Sequence, residues 1–148
     1  MLTATLTQIS HMKPTLRTGT LLTGLMTVAA LSLPAAANPI LDDFRVAAKQ
    51  ENAAFKDFSA GAGQKLYTTV GPNQLSCSSC HTDSPKAAGK HAKTNKVIDP
   101  LAPSANPKRF TDAVQVEKWF KRNCNDVLAR ACTTQEKGDL ISYVLSVK

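Results

Sequence analysis

Cys77-Ser78-Ser79-Cys80-His81 has the CxxCH spacing that ties a haem covalently to a polypeptide. Each of the two thiols can form a thioether with one haem vinyl group, and the histidine that follows is placed to ligate the iron from one side of the ring. Cys77 and Cys80 are therefore the candidate attachment residues and His81 the candidate proximal ligand. One covalent haem c is the cofactor they imply. The ligand on the iron's other face must come from elsewhere in the chain.

Upstream, Lys13 and Arg17 precede an apolar stretch from Leu21 to Leu33, and Ala35-Ala36-Ala37 supplies the small residues a signal peptidase reads. The pattern predicts a signal peptide over 1–37, cleaved after Ala37, and export to the periplasm. The apolar stretch is short for a membrane span, so a retained anchor is the lesser alternative. Met12 is a second candidate start. The leader takes with it Met1, Met12 and Met26, all three methionines of the chain, so a His/Met-ligated haem is excluded in the processed protein. It also takes His11, which leaves His81 and His91. The remainder, 38–148, reads as one small domain. Of eighteen basic residues the leader removes Lys13 and Arg17, and of eleven acidic ones none, so the balance falls from +7 to +5. A small basic exported domain suits docking on an acidic partner protein, with solubility as the plain alternative. Nothing in the chain points to nucleic acid.

The rest reads as helices joined by turns, with no internal repeat. Leu41, Phe44, Ala48 and Phe55 recur at near-helical spacing between Pro39 and Phe55. A short helix follows over Ser59–Thr69, with Leu66 and Tyr67 inward and Gly61 and Gly63 allowing a neighbour to approach, and Gly71-Pro72-Asn73 stops it. Thr82 to Lys96, with four lysines, reads as surface loop or short irregular helix. Asp99-Pro100-Leu101-Ala102-Pro103 is an extended run that can wall one side of the haem. A carbonyl of this run is a candidate acceptor for the Nδ1 proton of His81, an ordinary surface connection being the alternative.

A third helix is expected from Thr111 or Asp112. On it Val116, Trp119, Phe120 and Asn123 fall at i, i+3, i+4 and i+7, one face that is apolar but for Asn123. Asn123 either caps the helix end or presents its carbonyl oxygen to the iron. Cys124 and Cys132 are left once the haem has taken its thiols, and an exported pair most simply forms a disulfide. On a continuous helix their Cα atoms would be about 12 Å apart, against the roughly 4.4–6.8 Å a disulfide needs. The helix is therefore expected to end near Cys124. A zinc site shared by the four cysteines is the competing use. Thr133-Thr134-Gln135-Glu136 is a capping box that opens a final helix buried through Leu140, Ile141, Val144 and Leu145. The chain is all-α, about four helices around one haem. No second cofactor motif and no acid/base pair is present, so the reading is of a haem protein rather than an enzyme.

The run from CxxCH through Pro100-Leu101-Ala102-Pro103-Ser104, Arg109-Phe110-Thr111-Asp112, Val116-Glu117-Lys118-Trp119 and Arg122-Asn123-Cys124-Asn125 to Cys132 resembles the sphaeroides haem protein family of oxygen-binding c-type cytochromes. It is also similar to the related cytochrome c″. The resemblance implies a variant of the class I cytochrome c fold, with a haem pocket that includes Pro103, Val116, Trp119 and Phe120. In that family the residue before the first disulfide cysteine is the sixth iron ligand, a histidine in cytochrome c″ and an asparagine in the sphaeroides protein. Asn123 stands there, which implies an asparagine-ligated ferric haem. A neutral amide oxygen suits ferric better than ferrous iron, so reduction is expected to free it and open the site to O2, NO or CO. His91, in the lysine-rich loop, is read as a solvated surface residue rather than a rival ligand. The partners implied are an electron-donor cytochrome, either a dihaem cytochrome c or a membrane cytochrome b, and small diatomic ligands. The alternatives are a simple low-potential electron carrier, which shares every one of these features, and an oxygen or nitric oxide reductase.

Overall fold

The computed structural model describes residues 37–148. The expected signal peptide lies outside these residues but for Ala37. Five helices and one minimal hairpin follow in order: α1 Pro39–Glu51, α2 Ala60–Thr68, α3 Cys77–His81, β1 Gly89–Lys90, β2 Val97–Ile98, α4 Ala113–Leu128 and α5 Thr134–Ser146. The class is all-α, as the periodicity predicts, with the CxxCH segment itself forming a short helix, α3, beyond the four expected.

Each longer helix starts where a side chain takes up free backbone donors. Asn38 accepts from the Leu41 amide at 3.1 Å, Ser59 from Ala62 at 3.2 Å, Asp112 from Gln115 at 3.0 Å and Thr133 from Glu136 at 3.1 Å. The Thr133 box is complete, because the Glu136 carboxylate accepts from the Thr133 amide at 2.9 Å. α1 is shorter than its apolar spacing suggests. Asn52 leaves the helix in an extended conformation and its side chain accepts from the Ala54 amide at 2.9 Å, a local turn that competes with helix. Phe55 then packs on Phe58, ring centroids 5.0 Å apart.

The core has two joined clusters. Ile40, Leu41 and Phe44 of α1 meet Val116 of α4 and Ile141 of α5, while Tyr67 of α2 meets Ala102, Leu140, Tyr143 and Val144. α5 is the common element. It crosses α2 so closely that a Cβ on Gly63 would sit 2.0 Å from the Asp139 carbonyl oxygen. The buried Asp139 carboxylate accepts from the Ser59 amide at 2.7 Å and from Gln135 Nε2 at 2.9 Å. The same side chain thus satisfies a donor at the start of α2 and locks the crossing. Gly61, by contrast, is exposed, and its added Cβ would meet only Ser59 Oγ at 3.8 Å.

Between α3 and α4 the chain departs from the loop or irregular helix expected there. Gly89 pairs with Ile98 and Lys90 with Val97 in an antiparallel hairpin closed by residues 91–96. Two-residue strands carry too little alternation to be read from sequence. Among the described residues no helix is long and apolar enough to cross a membrane.

The crossing yields a paired expectation. Gly63→Ala should lower unfolding free energy by about 2–3 kcal/mol, the cost of forcing a methyl into a filled contact. Gly61→Ala should raise it by about 0.5 kcal/mol, because only backbone entropy changes. Urea titration of the two variants decides the matter, and equal effects would mean that the crossing is not tight.

Candidate haem site

The five residues of α3 are held as one helical turn by the serines around the cysteines. Ser76 is buried and caps it, accepting from the Ser79 amide at 3.1 Å, while Ser79 Oγ accepts from the Ser76 amide at 2.9 Å. On a helical turn the i, i+3 and i+4 positions share a face, so Cys77, Cys80 and His81 come together by local geometry alone. The turn ends at Thr82, whose φ of 62° is unusual for a β-branched residue. The Thr82 carbonyl is held by the hydroxyl of the fully buried Tyr67 at 2.7 Å.

These three side chains line a cavity of about 730 Å³, within the range of small-molecule and cofactor sites. Val116, Trp119, Phe120 and Asn123 line the same cavity from α4. Burial pushes the Cys77 thiol up to about 11, and burial together with the nearby Arg109 charge lowers His81 to about 4. At neutral pH the imidazole is uncharged, the form that donates a lone pair to a metal. His81 Nδ1 is buried without a hydrogen-bond partner, a state that costs about 1–3 kcal/mol. A largely apolar cavity, two free thiols three residues apart and a neutral imidazole fit the demands of a haem c.

Several expectations are corrected here. The extended run does not give His81 a carbonyl acceptor. The Pro100 oxygen accepts instead from Arg109 Nε at 2.9 Å and Asn106 Nδ2 at 3.4 Å, and Asp99 O from Arg109 Nη2 at 2.7 Å. Pro103 does not line the cavity; Leu101 does. The run is pinned in place because the amides of Leu101 and Ala102 both donate to Pro85 O at 2.8 Å. His91 is half-buried and lines the cavity, with Nδ1 accepting from the amides of Lys93 at 3.3 Å and Thr94 at 3.2 Å. It organises the hairpin turn rather than standing free in solvent.

α4 is also longer than the cysteine spacing suggested. It runs past Cys124 to Leu128, so Asn123 lies inside the helix and does not cap it. The chain reverses at Ala129, a left-handed C-cap with φ of 55°, and brings Cys132 back to a Cα distance of 5.6 Å from Cys124. The two sulfurs are bonded to each other, so a four-cysteine zinc site is not assembled. The extra helical turn is supported by the turn before α3. Asn73 Nδ2 donates to the carbonyls of Asp126 at 2.9 Å and Asn125 at 3.3 Å, and a Cβ on Gly71 would sit 2.0 Å from Val127 O. No sequence periodicity signals this long-range cap.

The face of α4 is graded rather than uniformly buried. Val116 is buried and Phe120 packs edge-on against Phe44 at 6.2 Å, whereas Trp119 is 46% exposed with Arg122 5.8 Å from its ring centre. Asn123 is exposed at the cavity wall, and among the described residues its amide has no hydrogen-bond partner. It therefore stands at the open edge of the otherwise apolar face.

A family model described as a domain of unknown function, DUF1924, matches residues 53–144. The cytochrome c-type protein SHP of Cereibacter sphaeroides is 46% identical over 98 residues, which cover 64% of this chain and 75% of that protein. Cytochrome c″ of Methylophilus methylotrophus is 44% identical over 82 residues, covering 55% of this chain and 57% of the relative. The crystal structure of oxidised cytochrome c″ superposes with a TM-score of 0.67 at 34% identity, covering 74% and 93% of the two chains. That of oxidised SHP, an oxygen-binding cytochrome c, gives 0.63 at 38%, covering 72% and 92%.

The Asn73 brace is open to test. Asn73→Ala should cost about 1–2 kcal/mol by leaving the Asp126 carbonyl without its donor, the Asn125 carbonyl keeping the Ala129 amide, and Asn73→Asp more, because a carboxylate would then face both carbonyls. Asn125→Ala, a control that changes an exposed side chain and keeps the backbone carbonyl the brace uses, should stay within about 0.5 kcal/mol. Denaturant midpoints at constant slope provide the comparison.

Proposed function

This chain belongs to the DUF1924 family and, with SHP and cytochrome c″, to the c-type cytochromes that carry haem c, and from that premise we propose that it is an exported one-electron haem protein in which Asn123 is a redox-dependent distal ligand. Cys77 and Cys80 hold the group through thioethers and His81 ligates from the proximal side. Arg109, anchored by two backbone carbonyls and lining the cavity, would offer its positive charge to the carboxylates of a bound haem. When bound, the haem supplies an iron that changes oxidation state by one electron and takes ligands on two faces.

The observation that carries the reading is the position of Asn123. It lines the cavity that Cys77, Cys80 and His81 also line, its amide is unpartnered, and it is exposed. A neutral amide oxygen is a hard, weak donor that holds ferric iron better than ferrous. On reduction the side chain would be released. Because it sits at the cavity wall in reach of water, leaving does not strand a buried polar group. The freed amide would be able to donate a hydrogen bond to a diatomic molecule, O2, NO or CO, in the cavity, with Trp119 and Phe120 limiting water. The oxygen binding of SHP supports this assignment. Electrons come from another cytochrome, a dihaem cytochrome c or a membrane cytochrome b. The relatives are cytochromes rather than named enzymes, which favours ligand binding and electron transfer over a reductase.

His91 supports a second reading. It lines the same cavity, so it is the rival ligand by position, but its Nδ1 accepts from two amides, which puts the ring proton on Nε2; ligation through Nε2 would require giving up both of those hydrogen bonds.

Absorption spectra of the ferric and dithionite-reduced protein, before and after carbon monoxide or nitric oxide, test the proposal. The expected result is a six-coordinate ferric form and a five-coordinate ferrous form that shifts on ligand addition. A six-coordinate ferrous spectrum indifferent to ligand would sink the open site and leave a simple electron carrier. Asn123→Val should alter the ferric spectrum with haem attachment intact, and an unaltered spectrum would move the assignment to His91.

A further inference from the structure

The positive charge of the protein is concentrated around the mouth of the cavity. Between Asp83 and Asp99 stand four lysines and no carboxylate, and the stretch 84–122 holds nine basic residues against Asp99, Asp112 and Glu117. The rest of 38–148 carries seven basic and eight acidic residues, so this one stretch accounts for the whole excess. It also supplies the cavity's rim, through the hairpin turn and the N-terminal half of α4. Among the described residues the ion pairs engage Arg45, Arg130 and Lys137; Lys93, Lys96, Lys108 and Arg122 are in none. Two of the exposed large apolar side chains, Val97 at 73% and Trp119 at 46%, lie on the same rim. The hairpin is held against the attachment turn, the Ala92 amide lying 3.4 Å from Cys80 Sγ.

Asp99, Asp112 and Asp126 also line the cavity, but the cations outnumber them, and an apolar centre with a net positive border of unpaired cations, at the opening of a redox site, has the composition of a transient docking surface. We propose that the rim formed by Lys93, Lys96, Val97, Lys108, Trp119 and Arg122 is where an acidic electron-donor protein docks. Arg109 is not part of this surface, since two backbone carbonyls hold it against the extended run. The proposal rests on the reading of the chain as an electron-transfer protein. Its particular content is that charge at this rim, rather than net charge, sets the encounter rate, through steering that weakens with salt.

The test uses the haem-loaded protein and flavodoxin hydroquinone, an acidic protein donor. The flavin hydroquinone anion loses one electron to become the neutral semiquinone, and the ferric ion gains it. The bimolecular rate constant should fall with ionic strength. The double charge reversal Lys93→Glu/Lys96→Glu should lower it about tenfold at low salt, whereas Lys49→Glu/Lys56→Glu, the same change in net charge on α1 and the loop after it, should stay within about twofold. Equal losses in the two pairs, or a rate indifferent to salt, would overturn the proposal. So would a rate unmoved by Lys93→Glu/Lys96→Glu while the same change abolishes co-sedimentation with phosphatidylglycerol vesicles, which would make the rim a lipid-binding surface. Carbon monoxide spectra of the unmodified protein are read separately, so a closed ferrous site would refute the ligand-binding reading and leave the docking result interpretable.

Discussion

The close crossing of α2 on α5 is the constraint from which the site is built. Gly63 lets the two backbones touch, and Asp139 ties the start of α2 to the crossing by accepting the Ser59 amide. One helical turn beyond Gly63, Tyr67 is carried to full burial against Tyr143, ring centroids 5.4 Å apart. From there its hydroxyl reaches the Thr82 carbonyl and supports the strained residue that ends α3. A tight helix contact is thus transmitted, through one phenol, to the turn that carries Cys77, Cys80 and His81.

The opposite wall is held independently. α4 is fixed at its start by the Val116 and Phe120 contacts with the α1 and α5 core, and at its end by the Cys124–Cys132 bond and the Asn73 donor. Asn123 sits just before the constrained end. Its backbone is held at several points while its side chain is unpartnered, a combination that suits the proposed role of a ligand that comes and goes without the helix moving.

Polar satisfaction and charge divide the surface of the site. Around the extended run, backbone carbonyls are taken up by Arg109 and Asn106, and Pro85 takes two amides. This leaves His81 Nδ1 unsatisfied within the protein, while the unpaired lysines stay on the rim where water solvates them. Desolvation and the Arg109 charge act together to keep His81 neutral. Arg109, held behind the rim, therefore acts on the His81 imidazole, while the unpaired lysines face solution.

The sequence by itself determined the features that lie within one or two turns of chain. The cysteines and histidine at i, i+3 and i+4, the caps at Asp112 and Thr133, the all-α class and the stripe from Val116 to Asn123 all follow from helical repeat and short side chains reaching nearby amides. What only the tertiary structure decided depends on partners far along the chain. Asn73 prolongs α4 from some fifty residues away, Arg109 takes the carbonyl that His81 was expected to use, Leu101 rather than Pro103 turns into the cavity, and His91 is drawn to the hairpin turn. Periodicity states which face a residue occupies, but it cannot state which distant donor will reach a given carbonyl first. That is settled by packing, because each buried polar group takes whichever partner the assembled core brings within about 3 Å.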